Sequence, residues 1–424
     1  MSNEPSKFNI VPAGQLPDGE ALQRVIARRS LNGRIWRNLF FACIIVGLLS
    51  LVAVACNVVN DAFGLVAVQS RVSETELTGG PPVEELTEDQ LRILLRDNLK
   101  AARLRSIERE MPLDQRTQAD LVDLMKVEIL QENVVASFQL VNSLSNRGAI
   151  EAQVTEEFPR ATVEWKRWFS IDFITSPGSS KPEVAGISTA IWGSLGVILI
   201  TMLVALPLGI GAAIYLEEYA GDRLINRIIQ TNISNLAGVP SIIYGMLGLA
   251  VFVRALGPIT SGAVFGYSGA DPNAGRSLLS GGLTMALLIL PIIVITTQEA
   301  IRSVPRSIRQ ASLALGSTKW QTIWNHVLPI SSPGILTGTI LAVSRAMGET
   351  APLVVLGTAT YIATAPDSVF SRFTTLPIQI YQWTSRPQTE FKNLAAATII
   401  TLLIIILLLN ATAILLRNRY SRRL

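Results

Sequence analysis

The chain has 424 residues, of which 49% are hydrophobic and only 16% charged. A soluble domain carries about 25% charged residues, so a chain this apolar cannot clothe a globular surface in polar groups and reads as a membrane protein. The same composition excludes a disordered chain, a fibrous repeat and a disulfide-rich secreted module. With one histidine, His326, no histidine-built metal site is expected. Cys43 and Cys56 share one apolar run and read as small apolar residues, not as a metal or disulfide pair. The net charge of +4 is uneven: residues 61–186 hold 14 basic and 21 acidic residues, a net of −7, and the rest of the chain carries +11. Such a split means two environments; the basic excess says nothing of nucleic acid.

Six charge-poor runs follow in chain order: Leu39–Asn60, Val184–Leu216, Ile228–Val253, Ser277–Gln298, Trp320–Ser344 and Asn393–Leu416. Each is long enough to cross about 30 Å of hydrocarbon at 1.5 Å per residue. The first exceeds a signal-peptide core and lacks a clear cleavage pattern. The fifth is expected to start after Pro333 and to run past Arg345 to about Gly357. Basic residues orient the spans. With both termini cytoplasmic, 16 basic residues lie inside, including Arg24, Arg28, Arg302, Arg309 and Arg417, against 5 in the short outer loops. The expected fold is therefore an all-α membrane protein of six transmembrane helices. Its parts are a basic tail (1–38), helix 1 (39–60), an extracytoplasmic acidic insert (61–186), a core (187–416) and a second basic tail (417–424).

The insert is large enough for a small core of its own. Thr87-Glu88-Asp89-Gln90 reads as a capping box, with Leu86 and Leu91 at staple spacing, and predicts a helix from Glu88 to about Ser106. Pro112 precedes a second expected helix, from Gln115 to Ser145, with Leu121, Leu124, Met125 and Ile129 on one face. The insert is thus expected to be mostly helical. Its acidic excess reads as a solvated face, poorly suited to capturing an anion.

The segment 299–333 before the fifth span is cytoplasmic by the charge rule and mixes basic with apolar residues. Ile308, Ala311, Ser312 and Leu315 share one helical face that ends at Gly316, so a helix, a glycine turn and a restart near Thr318 are expected. Gln310-Ala311-Ser312, three residues, Gly316, nine residues, then His326-Val327-Leu328-Pro329 resembles the coupling loop of binding-protein-dependent ABC importers. The family pattern is Glu-Ala-Ala, x3, Gly, x9, Ile-x-Leu-Pro. Ala311, Gly316, Leu328 and Pro329 match it, while Gln310, Ser312 and His326 depart from it. The resemblance implies that Gln310, Ala311, Ser312, Gly316, Leu328 and Pro329 form a knob that docks on a cytoplasmic ATPase. His326 itself reads as a packing or surface residue. The chain has no G-x4-G-K-[ST] loop, so it has no phosphate cradle for ATP; ATP and magnesium would be held by the partner ATPase, with no cofactor in this chain.

Three further segments, Glu217-Glu218-Tyr219, Asn235 to Gly245 and Ser344 to Leu353, resemble the permease subunits of bacterial phosphate-specific ABC transporters, over residues 187 to about 416. The acidic insert departs from the shorter members. The resemblance implies a type I ABC importer permease in the bacterial inner membrane, itself not an enzyme. Its partners would be a second homologous permease, two ATPase subunits, an extracytoplasmic phosphate-binding protein and membrane lipid.

The residues point to an anion independently. Arg345 and Glu349 are expected about 10 and 14 residues into the fifth span, near the bilayer centre and on one helical face. A charge there costs about 2.5–3.5 kcal/mol on insertion scales unless paired or wet. Either the two only neutralise each other, or Arg345 faces a path and transiently contacts phosphate oxygens, which suit a guanidinium fork. Thr350, Asn235, Ser241 and Tyr244 join them as expected path residues. Gly238-Val239-Pro240 reads first as close helix packing or a kink. Competing readings are an importer of sulfate, molybdate or phosphonate, an ion-coupled secondary transporter, which needs no ATPase-docking loop, and a membrane-anchored sensor.

Overall fold

A computed structural model describes residues 19–69, 77, 83–99, 104–105, 107–108, 112–130, 133–221, 223–267, 275–357, 362 and 364–421. The chain divides into two units, residues 1–57 and 58–424. The first is helical through its described length: α1 begins at Glu20 and runs on to Ala62. Its apolar side chains, such as Phe40, Ile44 and Leu51, are exposed, as a lipid-facing helix requires.

In the second unit the long elements are α6 (Ser188–Ile214), α7 (Leu224–Ala237), α8 (Ser241–Gly248), α9 (Leu278–Arg302), α11 (Leu328–Gly348) and α14 (Thr389–Ser421). Short helices α10 (Arg306–Ala314), α12 (Ala351–Val355) and α13 (Leu376–Thr384) join them. Among the described residues five stretches are long and apolar enough to cross a membrane, and six if the pair 224–237 and 241–255, bent by 105°, is one span. The bend falls at Gly238-Val239-Pro240, where Pro240 has no N–H to continue the ladder.

The core is built around α9. Met285, Leu288, Ile289 and Ile293 of α9 pack with Val197 and Ala205 of α6, Tyr244 of α8, Ala342 and Ala346 of α11, and Leu353 of α12. Close approach depends on small residues: a Cβ on Gly245 would lie 2.7 Å from the Cα and carbonyl oxygen of Pro352. Thr201 of α6 donates to the Gly282 carbonyl of α9 at 3.0 Å.

The fifth span differs from expectation. It is helical from Lys319, through a widened turn at Ile323–Val327, to Gly348, with Pro333 inside it. It then breaks at Glu349 and Thr350 before α12. Pro352 explains the break: it has no N–H to bond the Gly348 carbonyl four residues back, and its ring would crowd that carbonyl, whereas near the start of a new helix neither matters.

The insert holds α2 (Glu88–Asn98), α3 (Gln118–Leu124), α4 (Leu140–Ser145), α5 (Arg147–Glu157) and a three-stranded antiparallel sheet, β1 (Phe63–Gln69), β2 (Asn133–Ser137) and β3 (Thr162–Arg167), in the order β2-β1-β3. The expected capping box forms: Thr87 N and Oγ1 both donate to Gln90 Oε1 at 3.0 Å. Leu86 and Leu91 are buried in one cluster with Leu95, Leu113, Leu121 and Met125. Helix α2 ends at Asn98, with Leu99 extended at φ −85°, ψ 139°; of the rest of the expected continuation to Ser106, Leu104 and Arg105 lie among the described residues.

The second expected helix, Gln115 to Ser145, is not continuous. After α3 a widened turn (Met125–Leu130) precedes strand β2, where Val134, Val135 and Ala136 favour a pleated surface and Val66 faces Ser137. β1 is buried on both faces. Val66 joins Trp168, Phe173, Trp383, Phe391 and Leu394, whereas Leu65 and Ala67 meet Ile150 and Val154 of α5. The insert therefore has a helical lobe with its own apolar cluster and a sheet that shares its core with α13 and α14.

Candidate functional site

The segment after α9 folds as the glycine spacing predicts. Helix α10 ends at Ala314 with Leu315 as its C-cap, and Gly316 takes φ +84°, a left-handed geometry that glycine adopts without a Cβ penalty. Gly316 N donates to Leu313 O at 3.0 Å and Ser317 N to Ser312 O at 3.2 Å, the paired bonds that close a helix end. Thr318 then caps the next turn, its N–H and hydroxyl donating to Gln321 Oε1 at 2.8 and 3.1 Å. The buried Ser312 hydroxyl meets Thr322 Oγ1 at 3.0 Å and ties the two arms together.

The apolar stripe expected along α10 divides. Ile308 and Ser312 turn inward, towards Ile301, Val304, Ile323 and Val327, while Ala311 is exposed and Leu315 is 88% exposed. The cause is the turn itself: at the helix end Leu315 projects past the last residue that faces the core. Leu313, Trp320 and Trp324 are exposed too, and the two indoles stack at 5.5 Å. Gln310 and His326 are exposed, and Leu328 and Pro329 are half-buried.

A second set of contacts holds this loop, and residue-by-residue reading of the sequence missed its purpose. A widened turn, Tyr215–Tyr219, ends α6 and aims three consecutive side chains at the loop. Glu217 accepts two bonds from Arg302, at 2.6 and 2.9 Å. Glu218 Oε1 accepts from Arg309 Nε at 2.9 Å. The Lys319 ammonium lies 5.0 Å from the centre of the Tyr219 ring. Arg309 also donates to the Val304 and Ile301 carbonyls, just past and in the last turn of α9, at 2.7 and 2.8 Å. The available signal was two carboxylates at a helix C-terminus, unfavourable there unless cations face them.

The expected path residues gather around the broken helix. Pro352 of α12 packs on Gly245 of α8, so the bend beside Asn235 and the break beside Glu349 belong to one region. Arg345 lies in the last turn of α11, where the negative end of the helix dipole favours a cation. Glu349 is not one turn further along the same helix: it caps it, with extended backbone at φ −78°, ψ 122°. Arg345 Nε still reaches Glu349 Oε1 at 3.4 Å. Thr350 is the residue that caps the start of α12, and its backbone carbonyl accepts from Val354 N at 3.0 Å.

One of the expected neutral donors is already committed. Tyr244 is buried and donates its hydroxyl to the Leu236 carbonyl at 2.8 Å, fastening the two arms of the bend. Asn235 is exposed beside the bend, and its backbone carbonyl accepts from Gly238 N at 3.0 Å. Ser241 is half-buried at the start of α8. Two polar pairs inside the helix bundle were not foreseen: Ser344 with Asn410 at 2.8 Å, and Gln230 with Gln298, which exchange two amide bonds at 3.1 and 2.8 Å.

Residues 205–424 match the family described as binding-protein-dependent transport system inner membrane component. A probable ABC transporter permease protein, YqgI of Bacillus subtilis, is 34% identical over 223 residues, 50% of this chain and 70% of that protein. The phosphate transport system permease protein PstA of Xylella fastidiosa is 33% identical over 251 residues, 59% of this chain and 81% of that one. The phosphate transport system permease protein PstC of the same organism is 37% identical over 174 residues, 39% of this chain and 53% of that one.

Proposed function

Because this chain belongs to the family of binding-protein-dependent transport system inner membrane components, we propose that it is a permease subunit of an ATP-driven phosphate importer. It is a multi-pass inner-membrane transport subunit with the type I importer permease fold, and not an ATPase. Relatives named for phosphate transport, which the chain covers to 81% in one case, support phosphate as the cargo. The family sets aside the ion-coupled secondary transporter and the anchored sensor.

The observation that carries the path is the unspent guanidinium of Arg345. Its side chain is 42% exposed, it makes one long contact to Glu349, and its two terminal nitrogens have no acceptor among the described residues. Such a fork is free to hold two oxygens of a tetrahedral anion. Glu349 would keep Arg345 in position and stop it from trapping the anion. Thr350 and Ser241 lie in the same region as neutral donors.

On this reading the exposed tip Leu313, Leu315, Trp320 and Trp324 docks on one of two ATPase subunits, which carry ATP and magnesium. A second homologous permease completes the path, an extracytoplasmic binding protein delivers phosphate, and both termini are cytoplasmic. An importer of another oxyanion is the second reading, since the Arg345 fork would also accept sulfate. Reconstitution of the complex in liposomes, with uptake of phosphate measured against sulfate, molybdate and phosphonate, separates the two. Uptake of sulfate in preference to phosphate would overturn the proposal.

A further inference from the structure

We infer that the Glu217-Glu218-Tyr219 turn is the joint through which the docking loop moves the membrane core, with Glu218 as its positioning residue. The inference rests on the permease reading above and adds a named link to it.

The loop is stiff. The Gly316 turn, the Thr318 cap and the Ser312–Thr322 contact tie its two arms into one body. It also has two faces. Leu313, Leu315, Trp320 and Trp324 are exposed at the tip, whereas Arg302, Arg309 and Lys319 are turned to the end of α6. Arg309 is the pivot. One guanidinium bonds Glu218 at the end of α6 and the Ile301 and Val304 carbonyls at the end of α9.

Helices α6 and α9 are the centre of the core, joined by Thr201 to the Gly282 carbonyl and by Gly209 lying against Ile293. A push on α10 therefore reaches both helices together instead of being absorbed in a flexible connection. Burial raises the stakes: the Glu218 and Arg309 side chains are only 10% and 20% exposed. Removing one charge strands the other in a poorly solvated place. The paired charges thus favour one relation between loop and core, and departures from it are costly.

The test uses the complete importer in liposomes and reads anion moved per ATP hydrolysed. Glu218→Gln is expected to leave the ATPase subunits bound and ATP hydrolysis running, while anion moved per ATP falls about tenfold or more, the scale of one charge-assisted hydrogen bond. Glu218→Asp keeps the charge and should recover part of the ratio. Arg309→Lys keeps a charge but cannot reach all three acceptors, so it should fall between them. An unchanged ratio in Glu218→Gln and Arg309→Lys would overturn the inference. So would loss of the ATPase subunits from either purified complex, because the pair would then serve assembly. The ratio is read with whichever oxyanion the wild-type complex carries, so failure of phosphate as the cargo is a separate result.

Discussion

Arg345 and Glu349 meet across the end of a helix, not along its side: Nε and Oε1 are 3.4 Å apart, and the Arg345 side chain is twice as exposed as its partner, 42% against 21%. A pair whose purpose was mutual neutralisation would be close and enclosed. This one is long, and it leaves most of the guanidinium unused.

The first prediction follows from that geometry. Arg345→Gln should abolish uptake, and Arg345→Gln with Glu349→Gln should fail equally. Arg345→Lys should rescue only in part, because a point charge cannot present two parallel donors. Membrane insertion should be unchanged in all three. Near-normal phosphate uptake by the double-glutamine protein would reduce the two residues to a structural pair.

Gly316 gives the second. No neighbour lies within 4 Å of the position where a Cβ would stand, so only the backbone geometry at φ +84° opposes substitution. Gly316→Val should cost about 1–2 kcal/mol of local strain and abolish uptake while the protein remains inserted. Gly316→Asn should retain most activity, since asparagine tolerates this conformation. The informative readout is uptake beside retention of the ATPase. Normal transport and ATPase retention by Gly316→Val would remove the docking-loop assignment.

Tyr244 is the third. Its hydroxyl is committed to the Leu236 carbonyl, so Tyr244→Phe should cost about 0.5–1.5 kcal/mol by loosening the bend. The expected change is a lower maximal uptake rate with half-saturation unmoved. A raised half-saturation concentration with the maximal rate intact would return Tyr244 to the role of an anion ligand.

The insert supplies the fourth. A short linker in place of residues 72–130 removes the helical lobe with its own cluster and should leave uptake measurable. Replacing residues 70–180 also takes away Trp168 and Phe173 and uncovers Leu376, Trp383 and Phe391. That deletion should insert poorly, and Phe173→Ala alone should cost about 3–5 kcal/mol, read as lost thermal stability of the purified protein. Equal yield and stability for the two deletions would contradict the shared core.

What the sequence made legible was local or periodic. Apolar runs announced the spans, Thr87 to Gln90 announced a cap, and the Gly316 spacing announced a turn, because each signal lies within a few residues. The missed features join distant residues. Val66 and Ser137 pair across the sheet with most of the insert between them, and the periodicity from Leu121 to Ile129 concealed the strand that begins at Asn133. Glu217 and Glu218 do not announce their partners, since the cations that face them lie 85 and 91 residues away. The fifth span differs from its sequence expectation at both ends, beginning at Lys319 and ending at Gly348. Pro333 is accommodated inside a helix, while Pro352 breaks one.

The most direct measurement is uptake of radiolabelled phosphate by liposomes that contain the complete importer, with ATP enclosed and the binding protein outside, in competition with sulfate, molybdate and phosphonate. The account predicts ATP-dependent phosphate uptake that a large excess of sulfate does not suppress and that Arg345→Gln abolishes. Suppression by sulfate, or phosphate uptake that persists in Arg345→Gln, would contradict it.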